Sequence, residues 1–262
     1  MSNPAETYER ELVPVLFAPW APSLLDLAAL RPGERVLDLA CGTGIVARGA
    51  LARIGAGGRV SGVDMNPAML AVARTLDGAD AIEWHEGRME ALPFDDGTFD
   101  AVLCQHGLQF SPERPRAVAE MHRVLDEGGR VAIAVWQGLD RHPFFARFNE
   151  LLERHLGIPA FTAPFSLGDA DELRGLLETA GFRDVAIAAA ERPVRFPNPD
   201  GYVAMQVDAI AAAIPATQHL DAAARAALAA AIGGEFRPVI DAAVQSGHIV
   251  VPMHAWLARA VR

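Results

Sequence analysis

An α/β fold is what this 262-residue chain predicts: a doubly wound, mostly parallel sheet of about seven strands with helices on both faces. Three observations carry that reading. Short apolar runs alternate with helix-period stripes from residue 35 onward, a glycine turn (CGTG, 41–44) joins the first run to a helix, and the second run, VSGVD at 60–64, closes on an acid. Parallel strands need a long crossover to return to the same edge, and a helix between each pair of runs supplies it.

Strands are expected near 35 to 40, 59 to 63, 81 to 85, 99 to 104 and 130 to 136. Between the first two, Ala47, Ala50, Leu51 and Ile54 recur at i, i+3, i+4 and i+7, so one face of a helix packs back on the sheet. After the second strand Asn66 can cap a helix and Pro67 can take its first position, with Met69, Val72, Ala73 and Leu76 as the inward stripe. Ser111 and Pro112 repeat the start signal before Val118, Met121, His122 and Leu125, and Gly128 with Gly129 marks a turn. A helix is expected around 142 to 155, then one capped by Asp169 that carries Leu173, Leu176, Leu177 and Ala180 and ends at Gly181, then a strand at about 184 to 190. The alanine-rich stretch from 199 to 245 reads as helix broken at Pro215 and near Gly233 and Gly234. The end of the chain suits a last strand, with Pro252 demoting its centre to a bulge or an irregular start. The organisation this gives is a cap helix over 1–30, a core over 31–198, a helical lid over 199–247 and a final core strand over 248–262.

Composition narrows the function. Hydrophobic residues make up 51% and charged residues 21%, which suits a well-packed globule. A net charge of -10 with no dense basic stripe repels phosphate backbones, so nucleic acid is not an expected partner. Two cysteines, Cys41 and Cys104, are too few for a disulfide framework, and the scattered histidines give no metal signature. No basic leader precedes an apolar stretch and no run of 18 apolar residues occurs, so a cytoplasmic protein with no membrane partner is expected.

Gly42 and Gly44 let the backbone turn tightly and come close to a ligand, while the helix after them presents free N–H groups. With Ala47 the turn fits GxGxx(G/A), and Asp64 lies 64 − 44 = 20 residues beyond Gly44, the interval of a ribose-binding acid in dinucleotide enzymes. Hydride transfer with a nicotinamide cofactor therefore competes with any other nucleoside-cofactor reading. A second carboxylate inside the first strand, Asp38, favours a ligand that also has a cationic end. A non-catalytic protein that keeps the fold is the third reading.

Four segments in order, VLDLACGTG, VDMNPAML, EGRMEALPFDDGTFDAVLCQHGLQF and HRVLDEGGRVAIAVW, resemble the class I S-adenosylmethionine-dependent methyltransferases of Rossmann-like fold. The resemblance is to the small-molecule branch that includes the ubiquinone and menaquinone biosynthesis methyltransferases, and it is carried mainly by residues 30 to 137. It implies that Asp38, Ala40, Gly42 and Gly44 surround the methionine end of S-adenosylmethionine, that Asp64 accepts from both ribose hydroxyls, and that Met65 packs on the adenine. The family commonly has an acid after the third segment's glycine to receive the adenine amino group. Here that position is Arg88, which has donors only but could stack on the ring, and Met89 after it would offer its backbone N–H.

Gln105 and His106 follow the fourth strand, where cofactor and acceptor should meet: Gln105 for a backbone contact to the cofactor amine, His106 as general base, with a histidine hydrogen-bonded in the loop as the structural alternative. Glu90 and Asp95 are expected to face solvent, and Cys41 to be a packing residue. Tyr8, Phe17 and Trp20 of the first helix and Tyr202, Met205 and Gln206 of the lid are available to close over the site. The expected activity is methyl transfer to a small apolar or aromatic molecule, with oxygen favoured and carbon and nitrogen open; nothing fixes the oligomeric state.

Overall fold

The computed structural model of the chain describes residues 4–158, 162–213, 217 and 219–262. They form two compact units, one of residues 1–137, 167–190 and 255–262, the other of 138–166 and 191–254.

The first unit opens with α1, Pro4–Phe17, and α2, Ala21–Ala28. The sheet then alternates with helices as β1 (Arg35–Leu39), α3 (Ile45–Ile54), β2 (Arg59–Asp64), α4 (Pro67–Ala73), β3 (Ile82–Glu86), β4 (Phe99–Gln105), α5 (Arg114–Val124) and β5 (Leu125–Trp136). Beyond these come α6 (Pro143–Leu156), α7 (Ala170–Thr179), β6 (Arg183–Phe196), α8 (Tyr202–Ala213), α9 (Ala222–Ala243), β7 (Val244–Gln245) and β8 (His248–Val261). The sheet has eight strands, in the order β3-β2-β1-β4-β5-β8-β6, with β7 paired to β8. β1 pairs in parallel with both β2 and β4, so the chain reverses its winding between them. In open α/β sheets ligands bind at the carboxyl edge of such a switch point, and the glycine turn lies there.

Period-two alternation sorts β1 between the two faces. Leu37 and Leu39 join a core with Val118 and Met121 of α5 and Leu173 and Leu177 of α7. Val36 joins another with Leu24 and Leu25 of α2 and Val46, Ala47 and Ala50 of α3. Asp38 shares the face of Val36, which aims its carboxylate at the first turn of α3.

Several ends differ from the sequence expectation. Asn66 caps α4, accepting from the Ala68 N–H at 3.0 Å, and Asp169 caps α7, accepting from Asp171 at 2.8 Å. α5 starts at Arg114, two residues beyond the expected place, and the Ser111 hydroxyl donates to the Glu90 carboxylate at 2.5 Å while accepting from the Glu113 N–H at 3.3 Å. β5 begins at Leu125, and the two glycines fall in a register shift, Phe99 pairing with Leu125 and Ala101 with Arg130, a bulge in place of the expected turn. α9 runs unbroken through Gly233, Gly234 and Pro238, since its buried Ile232, Phe236 and Ile240 keep helical spacing across them. The expected break at Pro215 lies outside the described residues. β8 continues through Pro252, which lies outside the segment 255–261 paired with β5, so that ladder does not need its missing N–H. The second unit draws on 138–166 as well as on the 199–247 segment. Among the described residues no single helix is long and apolar enough to cross a membrane.

Candidate active site

The glycine turn is held in a shape that few side chains tolerate. Ala40 has a φ of +55°, and its methyl carbon lies 2.5 Å from where a Cβ on Gly107 would stand, so Gly107 must stay bare for Ala40 to fit. Gly44, at φ +85°, faces the Trp84 ring, whose Cη2 lies 2.3 Å from the place of its missing Cβ. A tryptophan of β3 thus pins the loop from behind, with its indole N–H donated to the Ala79 carbonyl at 3.1 Å.

The two acids grip this loop. Asp38 is buried and accepts from the Ala47 N–H at 2.8 Å, and burial pushes its pKa up to about 8 despite that bond. Asp64 accepts at one oxygen from the Gly42 N–H at 2.8 Å and at the other from Asn66 at 2.9 Å; its pKa too is raised by burial. The Asp64 charge raises the Asp38 pKa further. Both spend lone pairs on backbone N–H groups, and a carboxylate keeps others for a ligand.

At the rim, β2 and β3 run in register with Asp64 opposite Glu86, and the Gly87 N–H donates to the Asp64 carbonyl at 3.1 Å. Met65 is 61% exposed, an uncovered apolar side chain directly after the acid. Arg88 projects outward, its Nε 3.4 Å from a Glu90 oxygen. Met89 turns its side chain against the core. Glu90 is buried, contrary to expectation, because Ser111 and Arg88 share its charge; Asp95 is exposed.

At the end of β4, Gln105 donates its amide to the Phe17 carbonyl at 3.0 Å, while its buried Oε1 has no partner among the described residues. His106 has a φ of +54° and stacks on Trp136 with ring centres 3.5 Å apart and 10° between planes; Trp20 meets it edge-on at 6.0 Å and Phe17 at 6.1 Å. Both ring nitrogens are buried without a partner among the described residues, so the alternative of a loop hydrogen bond is not what is found. Burial lowers the imidazole pKa to about 3. In this aromatic box His106 is therefore a neutral ring when no ligand is bound.

α1 covers the loop. The Tyr8 hydroxyl lies 3.5 Å from where Gly42 would carry a Cβ, and burial, then the charges of Asp64, Glu9 and Asp38, hold its phenol above the ordinary value. Arg48 donates to the Thr43 carbonyl at 2.6 Å and lies 3.6 Å from Glu9. The Thr43 hydroxyl and one Glu9 oxygen are buried without partners among the described residues. A bare glycine turn, two carboxylates and unsatisfied acceptors suit a ligand with a positive charge and hydroxyls, as S-adenosylmethionine has.

Similarity to known proteins bears on the same residues. Residues 37–133 match the model of a family described as methyltransferase domain. The 2-phytyl-1,4-naphtoquinone methyltransferase of Synechococcus elongatus is 34% identical over 181 residues, 65% of this chain and 76% of that protein. The chain belongs to the class I S-adenosylmethionine-dependent methyltransferases. A further relative of this methyltransferase, the ubiquinone/menaquinone biosynthesis C-methyltransferase of Methylobacterium nodulans, is 35% identical over 71% of this chain and 69% of its own. In fold it is similar to a Bacillus halodurans protein, with a TM-score of 0.61 at 22% identity over 92% of this chain and 97% of that one. It is also similar to phosphoethanolamine N-methyltransferase 2 of Haemonchus contortus, solved with S-adenosyl-L-methionine, with a TM-score of 0.55 at 19% identity over 93% and 52%.

Other candidates in the methyltransferase are accounted for locally. Burial pushes the Cys104 thiol up to about 12 and the Cys41 thiol well above its usual value, so neither is a nucleophile at neutral pH. In the second unit Gln206 donates to the Tyr202 hydroxyl at 3.0 Å inside an aromatic core with Phe144, Phe148 and Phe236, which removes both from the surface. The His254 N–H donates to the His142 ring at 2.9 Å, and no group of three or more metal-ligating side chains occurs among the described residues. Sequence reasoning missed Trp84, Trp136 and Glu90. The small residues at 44 and 62 could have pointed to a large side chain over them, since a Cβ at Gly62 would lie 2.6 Å from the same indole. Trp136 needs the β4–β5 pairing to be known.

Proposed function

We propose that the methyltransferase acts on a reduced quinone, a planar ring with hydroxyl groups, and delivers the methyl group to ring carbon. The observation that carries this reading is the wall at the end of β4, where Trp136, Trp20 and Phe17 enclose a neutral imidazole with both nitrogens unspent. Aromatic faces suit a flat acceptor, and a neutral ring can hydrogen-bond its hydroxyl without demanding a charge. The names of the two relatives, a naphthoquinone methyltransferase and a quinone C-methyltransferase, support the acceptor class and move the preference from oxygen to carbon.

When bound, S-adenosylmethionine supplies an activated methyl group on a positive sulfur. Asp64 would hold the ribose hydroxyls, with Met65 under the adenine. Asp38, Ala40, Gly42 and Gly44 would line the methionine end, with backbone of Gln105 and Met89 completing the cradle. Tyr8 and Phe17 on α1 would exclude water, which matters because orientation alone can contribute about 7 to 11 kcal/mol. His106 would orient the acceptor hydroxyl by accepting its hydrogen bond, raising electron density at the adjacent ring carbon; as that carbon takes the methyl group the ring proton it loses would pass to solvent, with S-adenosylhomocysteine as the leaving group. Because Trp20, His106 and Trp136 are buried, the acceptor would reach this wall only with α1, which carries Phe17, moved aside.

The test is an anaerobic assay with methyl-labelled cofactor and short-chain demethylated quinols, the product site assigned by NMR. Label on ring carbon is the expected result. Label on oxygen overturns the carbon assignment, and transfer to amines but to no quinol overturns the acceptor class.

A further inference from the structure

We infer that Arg88 makes this methyltransferase read the purine edge of its cofactor by donation, so that it accepts a 6-oxopurine nucleoside as readily as adenosine. The inference rests on the cofactor placement proposed above. Three features of the rim carry it. Pairing of Asp64 with Glu86, and the 3.1 Å bond from the Gly87 N–H to the Asp64 carbonyl, set residue 88 beside the acid proposed for the ribose and beside the exposed Met65. A base lying on Met65 would therefore turn an edge toward Arg88.

Arg88 is oriented by its surroundings. Its carbonyl accepts from the Ala91 N–H at 3.1 Å, closing a tight turn, and its Nε lies 3.4 Å from Glu90. Glu90 is itself fixed: it is 7% exposed and receives the Ser111 hydroxyl at 2.5 Å. A buried anchor on Nε leaves the terminal guanidinium nitrogens, on a side chain 54% exposed, directed outward. Guanidinium has five donors and no acceptor. It can serve the ring nitrogens of adenine, but it opposes the 6-amino group donor to donor. Against hypoxanthine the same position is a carbonyl, and the contact becomes a hydrogen bond. A carboxylate there would do the reverse, accepting from the amine and repelling the carbonyl. Glu90 is thus a positioning residue and Arg88 a specificity residue for the nucleoside.

The experiment measures calorimetric affinities of S-adenosylhomocysteine and S-inosylhomocysteine for the full chain and for Arg88→Ala and Arg88→Asp. The expected result is that the unmutated protein binds the inosyl compound within about threefold of the adenosyl one, or more tightly. Arg88→Ala weakens the inosyl ligand more than the adenosyl ligand, and Arg88→Asp shifts the preference toward adenosyl by about tenfold or more, the usual scale for a donor or acceptor mismatch on a base edge. Unmutated protein that prefers the adenosyl compound tenfold overturns the inference. So does an equal loss of both ligands in Arg88→Ala, which would mark Arg88 as a stacking platform. If the unmutated protein binds neither nucleoside, the cofactor placement itself has failed, and that result is distinct from the other two.

Discussion

With Asp38 placed at the methionine end of the cofactor, as proposed, cofactor affinity should depend on pH. Burial holds its pKa up to about 8, so in the ligand-free protein at pH 7 about nine in ten molecules carry it protonated. A cationic ligand beside it favours the carboxylate, and binding must then expel the proton. The ionised fraction rises from about 1% at pH 6 to about 50% at pH 8, so the Asp38 contribution to affinity grows about 50-fold, or about 2.3 kcal/mol. The perturbation is Asp38→Asn, which keeps an oxygen for the Ala47 N–H and removes the titration. The assay is calorimetry with S-adenosylmethionine between pH 6 and pH 8 in buffers of different ionisation enthalpy. The ligand's own titration is common to both proteins and cancels in their ratio. Unmutated protein should gain affinity relative to the variant by about 50-fold over that range and release nearly one proton more at pH 7. A ratio that stays flat, with no difference in proton release, would refute the reasoning.

Other perturbations probe the scaffold and the wall. Gly44→Ala must hold φ +85° and meet the Trp84 ring, costing about 2 to 4 kcal/mol in denaturant unfolding, with part of the loss recovered when Trp84 is also changed to Leu. Arg130 makes a two-pronged pair with Glu34, at 2.7 and 2.9 Å, so Arg130→Met should destabilise by about 3 kcal/mol in the same assay. The Glu34 carboxyl is held below its usual range by the Arg130 hydrogen bond against the pull of burial, and Asp100 by hydrogen bonding from Arg35. For such groups the stability is present above the unfolded carboxylate pKa of about 4 and is lost as pH falls through the lowered folded values. Acid unfolding should therefore begin below about pH 4, and Arg130→Met should flatten that limb. His106→Phe keeps the stack on Trp136, and we expect cofactor affinity within about twofold but quinol turnover lower by about tenfold, the value of one hydrogen bond; loss of cofactor binding in this variant would place His106 elsewhere in the mechanism.

The strands and helices that build the site were readable because their signals are local. Alternation in VLDLA and VSGVD, the Asn66 cap, and the glycines at 42 and 44 each follow from backbone sterics and from which atoms need burying. The bulge at Gly128 and Gly129 and the uninterrupted α9 were not readable, since a neighbouring strand decides the first and buried Ile232 and Phe236 override propensity in the second. Site residues divide in the same way. Ala40, Gly42 and Gly44 share one loop, and Asp38 in β1 and Asp64 at the end of β2 bond to its surroundings, because short segments carry them there. What surrounds His106 comes from residues 17, 20 and 136, and no local pattern announces that.

By itself, then, the sequence determined an acid-lined glycine turn between two parallel strands, because spacing within a few dozen residues sets where those groups can stand; the choice of S-adenosylmethionine over a nicotinamide came from the resemblance of four ordered segments to a family. Only the tertiary structure decided burial and partnership: that Asp38 is buried and its pKa raised by that burial, that Glu90 lies inward beside Arg88, and that His106 is enclosed by aromatic rings that lower its pKa by desolvation. These depend on desolvation by chain segments distant in sequence, and desolvation is a property of the packed whole.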